Sequence, residues 1–383
     1  MPLRTTGLRI ARILGIPIFL DASWLLVFGL ITYELSILFR AQHPLWTSTE
    51  HWTVGILASL LFFGSVLFHE LSHSVVALHY KIPVHSITLF LFGGIARIGR
   101  EPSKPIQEFN IAVAGPLASF FLAGMFGSML LFFPSQQMVG ALAGYLAGSN
   151  LLLGLFNLAP GFPLDGGRIF RAIIWGITKN FSRATLIAGT SGRLVAYLLM
   201  AFGGYEAFYK SDWSSGLWLG VIGVYLLNAA QESIAQVTIR EALAGLNAAD
   251  VMSSEVPTVD GHITLEEYGA EVLRTGRRCH LVLTDDRLVG MMNVHTLNEV
   301  PREEWVHNSV QAAMIPREKL LWTSPDESLL HLLERLLTAD INQMPVVSGT
   351  GDGAPQVVGM VTRDSILRVM QTRSELGARA SSK

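Results

Sequence analysis

Charge is scarce in this chain: only 15% of its 383 residues are Asp, Glu, Lys or Arg, while 50% are hydrophobic. That balance excludes a disordered chain and is far from an ordinary soluble enzyme. A net charge of −2 leaves no basic surplus to grip a phosphate backbone, so no nucleic-acid partner is expected. Cysteine occurs once, at Cys279, which excludes an internal disulfide framework. A Walker loop, a GxGxxG fingerprint and a cysteine metal site are all missing. The length itself exceeds what one hydrophobic core fills, so more than one folding unit is expected.

The few charges are unevenly spread. Residues 1–236 hold 14 Lys/Arg and 10 Asp/Glu, whereas residues 237–383 hold 14 and 20. The chain therefore divides near residue 237: a membrane domain over 1–236, a linker over 237–248, a soluble domain over 249–372 and a loose tail over 373–383.

Six apolar runs, at roughly 22–39, 54–78, 109–133, 138–158, 186–209 and 215–235, each approach the twenty or so residues a bilayer asks of a helix. Six in one stretch leave too little polar surface to cover them in water, which predicts a polytopic α-helical membrane protein. Basic residues gather before the first span (Arg4, Arg9, Arg12), between the second and third (Lys81, Arg97, Arg100, Lys104) and between the fourth and fifth (Arg168, Arg171, Lys179, Arg183). By the positive-inside rule both termini, and with them the soluble domain, are cytoplasmic, the host being a cell inner membrane. No small-x-small cleavage site follows the first run, so it is expected to be retained.

The second span contains His69-Glu70-Leu71-Ser72-His73. On a helix the two histidines lie one turn apart, about 40° from eclipsed, so both imidazoles can reach one tetrahedral ion while Glu70 projects beside it. HExxH also arises by chance on helices that bind nothing. Here, however, the three groups sit in apolar surroundings with no other ionisable residue between Gly64 and Val76, where they cost several kcal/mol unless something compensates them. A third ligand is needed. His79 falls about 280° around the helix from His69 and points elsewhere. Asp165 is the best remaining donor, in Asn157-Leu158-Ala159-Pro160-Gly161-Phe162-Pro163-Leu164-Asp165-Gly166-Gly167, where prolines and glycines interrupt helix at membrane depth. The bland alternative is a Gly-Gly turn with Asp165 capping the next helix.

These residues resemble the site-2 proteases, intramembrane zinc metalloproteases. The resemblance covers most of residues 10–236 and rests on HExxH in the second span, on Gly93-Gly94-Ile95-Ala96, and on Asn157 with Pro160, Pro163, Leu164, Asp165, Gly166 and Gly167, all in the family's order. It implies one zinc per chain held by His69, His73 and Asp165, Glu70 as general base and acid, and Asn157 as a substrate-binding or oxyanion-stabilising amide. Asp21 stands where many relatives have histidine.

Residues 84–98 alternate like strands around a Gly-Gly break and read as a membrane-associated β-hairpin or re-entrant pair. In relatives this segment lies near the site, so its edge is expected to take an unwound substrate as an added strand; proline at Ile87 or Leu89 should then impair cleavage without removing zinc. The bland reading is a hairpin that seals the cavity. His69 and Glu70 lie toward the Lys81 to Lys104 connection, so the polar cavity is expected to open to the cytoplasm.

The C-terminal part repeats. Asp250-Val251-Met252 recurs as Ala312-Ala313-Met314, and Gly290-Met291-Met292-Asn293 as Gly359-Met360-Val361-Thr362, the second copy having a longer loop at 349–355. Each copy reads helix, strand, strand, helix. This is similar to a tandem CBS domain, a soluble α/β module that often binds adenine nucleotides between its copies. The resemblance implies Thr362 and Asp364 as nucleotide contacts, although Ser365 occupies the motif's final acidic position and the first copy has Asn293 and Thr296 instead. Dimerisation or substrate docking is the plainer role. His262, His280, His295, His307 and His331 lack ligand spacing and read as surface or core residues.

The expected protein is a zinc-dependent intramembrane endopeptidase in the lipid bilayer, cutting a single-span membrane protein, with a CBS pair that modulates it and offers a homodimer contact. The rival is a CBS-gated ion transporter using the same residues as an ion site. It predicts paired broken helices, whereas one interrupted segment, 157–168, is found.

Overall fold

The computed structural model describes residues 7–91, 93–285, 287–348 and 356–380. The chain separates into two compact units, one ending at Thr238 and the other beginning at Ile239.

The first unit opens with strands β1 (Gly7–Ile13) and β2 (Ile16–Asp21), then helices α1 (Ala22–Gln42) and α2 (Ser48–His79). Strands β3 (Val84–Phe90) and β4 (Gly93–Ile98) follow, and then α3 (Pro105–Met129), α4 (Met138–Asn157), α5 (Asp165–Thr178), α6 (Phe181–Phe208) and α7 (Trp213–Leu243). Six of these helices, all but α5, are long and apolar enough to cross a membrane. They coincide with the six apolar runs but extend further: α2 has 32 residues, about 48 Å at 1.5 Å each. Local chemistry explains the boundaries. Thr47 and Glu50 form a reciprocal capping box that starts α2 six residues before its apolar run. Asp21 caps α1, its Oδ1 accepting from Ser23 N at 2.9 Å and Ser23 Oγ at 2.6 Å.

The expected hairpin forms, with β3 and β4 antiparallel, but it is half of a larger sheet. Residues 7–21, read above only as a basic flank, make a second hairpin, and β2 runs parallel to β3, giving the order β1-β2-β3-β4. β3 is therefore an interior strand, with Ile87 and Leu89 buried and paired on both sides. The free edge near the helices is β4, so proline at Ile87 or Leu89 would break the sheet and not test an edge. The N–H of Leu91 donates to Ser23 Oγ at 3.2 Å, fastening the β3–β4 turn to α1.

In the second unit the helices α8 (Ala248–Val251), α9 (Leu265–Thr275), α10 (Val294–Asn298), α11 (Val310–Ala313), α12 (Leu329–Thr338) and α13 (Arg363–Ala380) alternate with strands β5 (Thr258–Asp260), β6 (Cys279–Thr284), β7 (Arg287–Asn293), β8 (Ile315–Pro316), β9 (Gln343–Ser348) and β10 (Gln356–Thr362). The copies are α9-β6-β7-α10 and α12-β9-β10-α13, and each lends its leading segment to the other. Ile315 of the second copy pairs with Met291 of the first, while Ser253 of the first bridges to Met360 of the second. The two copies thus exchange their leading segments. Two features depart from expectation. Residues 237–243 do not begin a linker, because α7 continues to Leu243, which is buried in this unit's core with Leu329, Leu332 and Val361. The expected tail continues α13 as far as Ala380. The 349–355 loop lies outside the described residues.

Candidate metal centre

α3 packs on α2, α4 and α5, and one of its faces meets both parts of the HExxH turn. His69 and His73 are buried, with their ring centroids 4.9 Å apart. His73 Nδ1 lies 2.6 Å from the Ile111 carbonyl oxygen, which can only accept, so Nδ1 carries the hydrogen and the neutral ring's lone pair is on Nε2. His69 Nδ1 lies 2.8 Å from the hydroxyl of Ser119, itself fully buried. Both rings are therefore oriented from behind, as ligating histidines usually are. Pro116, inside α3, lacks the N–H of its turn, which loosens the helix's own bonding close to the carbonyl that His73 uses.

Asp165 arrives from the other side. After α4 the chain breaks over residues 158–164, with Leu164 as the N-cap residue of α5 and Asp165 in its first turn. Asp165 is thus not the cap. Its neighbours Gly166 and Gly167 lie so close to the backbone of residues 158–162 that a Cβ on either would collide with it. The Asp165 Oδ2 atom stands 3.0 Å from His69 Nε2 and 3.1 Å from His73 Nε2, with 12% of the side chain exposed.

Two imidazole nitrogens and a carboxylate oxygen converge here in an apolar interior, a donor set that a cation would bridge. One ligand atom from each of the three residues falls within 4.8 Å of the others, as tetrahedral coordination requires. The space beside them is kept open by Gly115: a Cβ there would overlap both Nε2 atoms. Glu70, half-buried, lies against β4, where a Cβ on Gly94 would strike its side chain and where the Ala96 N–H contacts its carboxylate.

Asn157 ends α4 with its Nδ2 donating to the Leu153 carbonyl at 3.0 Å, so its amide is turned back on its own helix. Thr362 caps α13, accepting from Ser365 N at 3.0 Å, with Asp364 exposed beside it. His79 is exposed, away from the centre. His280 is a buried core residue against Tyr268, and the other four C-terminal histidines are exposed. Sequence reasoning passed over Ile111, Gly115 and Ser119. Their spacing of four on one apolar helix, with a glycine before a proline, was the available signal.

A sequence profile described as Peptidase family M50 matches residues 57–145 and 134–201, and one described as CBS domain matches residues 312–372. The chain is 32% identical over 375 residues to sll0528 of Synechocystis, by name a candidate zinc metalloprotease, covering 96% of each chain. It is 28% identical over 369 residues to the zinc metalloprotease MJ0392 of Methanocaldococcus jannaschii, covering 95% of this chain and 96% of that one. Among solved structures it is similar to a site-2 protease from Methanocaldococcus jannaschii, at 30% identity and a TM-score of 0.43 over 60% of this chain and 95% of that one. The relatives and the six apolar helices mark an integral membrane peptidase, a hydrolase, with a C-terminal CBS module. The chain belongs to peptidase family M50, the site-2 proteases.

Proposed function

We propose that this protein is a zinc-dependent endopeptidase that hydrolyses a peptide bond within or near a transmembrane helix of a single-span membrane protein. The convergence of His69 Nε2, His73 Nε2 and Asp165 Oδ2 on one point carries the reading. Three acceptors of this kind suit zinc, and with three protein ligands a fourth position stays free for chemistry. Bound zinc supplies Lewis acidity, which polarises a carbonyl and makes water nucleophilic near neutral pH.

The chain's own groups do the rest. Glu70, next to His69 and held against β4, takes the proton from the attacking water and passes it to the leaving amine. Asn157 donates its amide to the substrate carbonyl after turning from Leu153. A peptide bond in a membrane helix is shielded by its own hydrogen bonds, so the substrate must unwind and find new partners. The free edge of β4 supplies them beside Glu70, as strand addition does elsewhere.

Both termini and the CBS pair face the cytoplasm of a cell inner membrane, where the basic connections lie. The CBS pair modulates cleavage by taking an adenine nucleotide at Thr362 and Asp364 and joins two copies as a homodimer; titrating ATP, ADP and AMP against the purified chain and against Thr362→Ala tests the nucleotide. For the peptidase, Glu70→Gln should lower cleavage of a membrane-helix substrate about 10²- to 10⁴-fold with zinc stoichiometry unchanged. Persisting cleavage would overturn the assignment. Ion flux that survives alongside lost cleavage is also informative, because a transporter needs no base at that position.

A further inference from the structure

Glu108 and Arg171 form an ion pair deep in the first unit, and the catalytic scheme above does not use it. Glu108, on the first turn of α3, is fully buried, and Arg171, on α5, is 8% exposed. The guanidinium Nε donates to Glu108 Oε1 at 2.8 Å, and Nη2 contacts the same oxygen. The guanidinium carbon also sits 4.8 Å from the ring centre of Phe162 and 4.6 Å from that of Phe181, with Thr185 at 3.4 Å from Nη1. The remaining carboxylate oxygen, Glu108 Oε2, is buried with no donor among the described residues. A well-packed apolar pair of similar volume would serve stability as well, so stability alone does not account for buried charges here.

Its place in the fold suggests another purpose. Along one face of α3, Glu108 is followed by Ile111, which orients His73, by Gly115, which clears both Nε2 atoms, and by Ser119, which orients His69. Ile111, Gly115 and Ser119 frame the α2 half of the centre, while Glu108 reaches the α5 half through Arg171. Arg171 follows Asp165 by under two helical turns, and Phe162, stacked on its guanidinium, precedes Asp165 by three residues. The pair thus grips the chain on both sides of the carboxylate. We infer that Glu108 and Arg171 are positioning residues that fix Asp165 relative to the two histidines, so that α3 acts as the common template for all three ligands. The inference rests on the reading of the centre as a zinc site.

The test exploits the asymmetry of buried pairs: removing one partner strands a charge, whereas replacing both with apolar residues is often neutral for stability. Wild type, Arg171→Lys and the double variant Glu108→Leu/Arg171→Met are purified in detergent. Thermal unfolding is followed for each, zinc affinity is measured by chelator competition, and the visible spectrum is recorded with cobalt in place of zinc. Asn150→Ala, which removes a buried hydrogen bond between α4 and Ser65 of α2, is the control for general destabilisation. Positioning predicts that the double variant recovers near wild-type thermal stability yet binds zinc roughly 10- to 100-fold more weakly, with an altered cobalt spectrum. Arg171→Lys, which keeps the charge but loses the planar fork, should fall the same way, and Asn150→Ala should keep wild-type affinity and spectrum. A folded double variant with wild-type affinity and spectrum overturns the inference; if that variant does not fold, wild-type binding by Arg171→Lys does so. Failure of the wild type to bind zinc or cobalt overturns the zinc reading itself, a separate result.

Discussion

Gly115→Ala adds one methyl group, and the geometry says where it goes. A metal–imidazole bond is about 2.0–2.1 Å long. The new Cβ would overlap Nε2 of both His73 and His69, so it falls in the volume an ion between them must occupy. Carbon and nitrogen in van der Waals contact stay about 3.5 Å apart, so α3 would have to withdraw from α2 by on the order of 1 Å. That withdrawal stretches the 2.6 Å contact from His73 to Ile111 and the 2.8 Å contact from His69 to Ser119, because all three residues share one face of α3. Displacement of this size at a catalytic centre costs about 10²-fold in turnover, and zinc affinity should fall at least as far. The matched control is Gly124→Ala on the same helix, where an added Cβ meets nothing within 4 Å. Alanine is the better helix former by about 1 kcal/mol in soluble hosts, so neither substitution harms the helix itself. Zinc content after dialysis against a graded series of chelators reads the outcome. Wild-type affinity in Gly115→Ala would show that the ion does not lie between these histidines.

Four further outcomes are expected. Asp165→Ala should lose zinc by more than about 100-fold in affinity while remaining folded; full zinc occupancy would remove Asp165 from the ligand set. Proline at Ala96 on β4 should lower cleavage with zinc retained, since it takes away the N–H that contacts the Glu70 carboxylate; undiminished turnover would show that Glu70 does not depend on this strand. Burial pushes the Cys279 thiol up to about 12, so N-ethylmaleimide at pH 8 should leave it unmodified until the C-terminal unit unfolds, and rapid labelling of native protein would contradict its burial. Burial likewise holds His280 below the ordinary histidine value of 6.5. The unfolded chain therefore binds the extra proton as pH drops through that value, so the C-terminal unit should lose stability as pH falls through about 6.5. Amide exchange across β6 and β7 in the full chain should show the loss, and His280→Gln should flatten it.

Much of this protein is legible along the chain because the bilayer simplifies the code. A span must satisfy its own backbone and present apolar side chains for some twenty residues, so six helices stand out by composition alone. His69, Glu70 and His73 are equally visible, since one turn of helix places them together without help from the rest of the fold. The CBS repeat appears because each copy carries the same short motifs, whereas the exchange of leading segments between copies is seen only in space. Asp165 was an inference across 92 residues from His73, plausible because irregular backbone at membrane depth needs a reason. Its contacts of 3.0 and 3.1 Å could come only from the way α3 brings α2 and α5 together.

The remainder depends on packing between segments distant in sequence, which no local pattern encodes. The N-terminal strands carry no alternation strong enough to announce a sheet, yet β2 pairs with β3 and leaves β4 as the edge beside Glu70. Ile111, Gly115 and Ser119 look like any lipid-facing helix of small and apolar residues; only the crossing of α3 over α2 turns a carbonyl, a missing methyl and a hydroxyl into the frame of the proposed metal centre. Glu108 and Arg171, 63 residues apart and both outside the six apolar runs, become a pair only when the fold buries them together. Residue type and local periodicity set which chemistry is present, while side-chain geometry across helices sets where it acts.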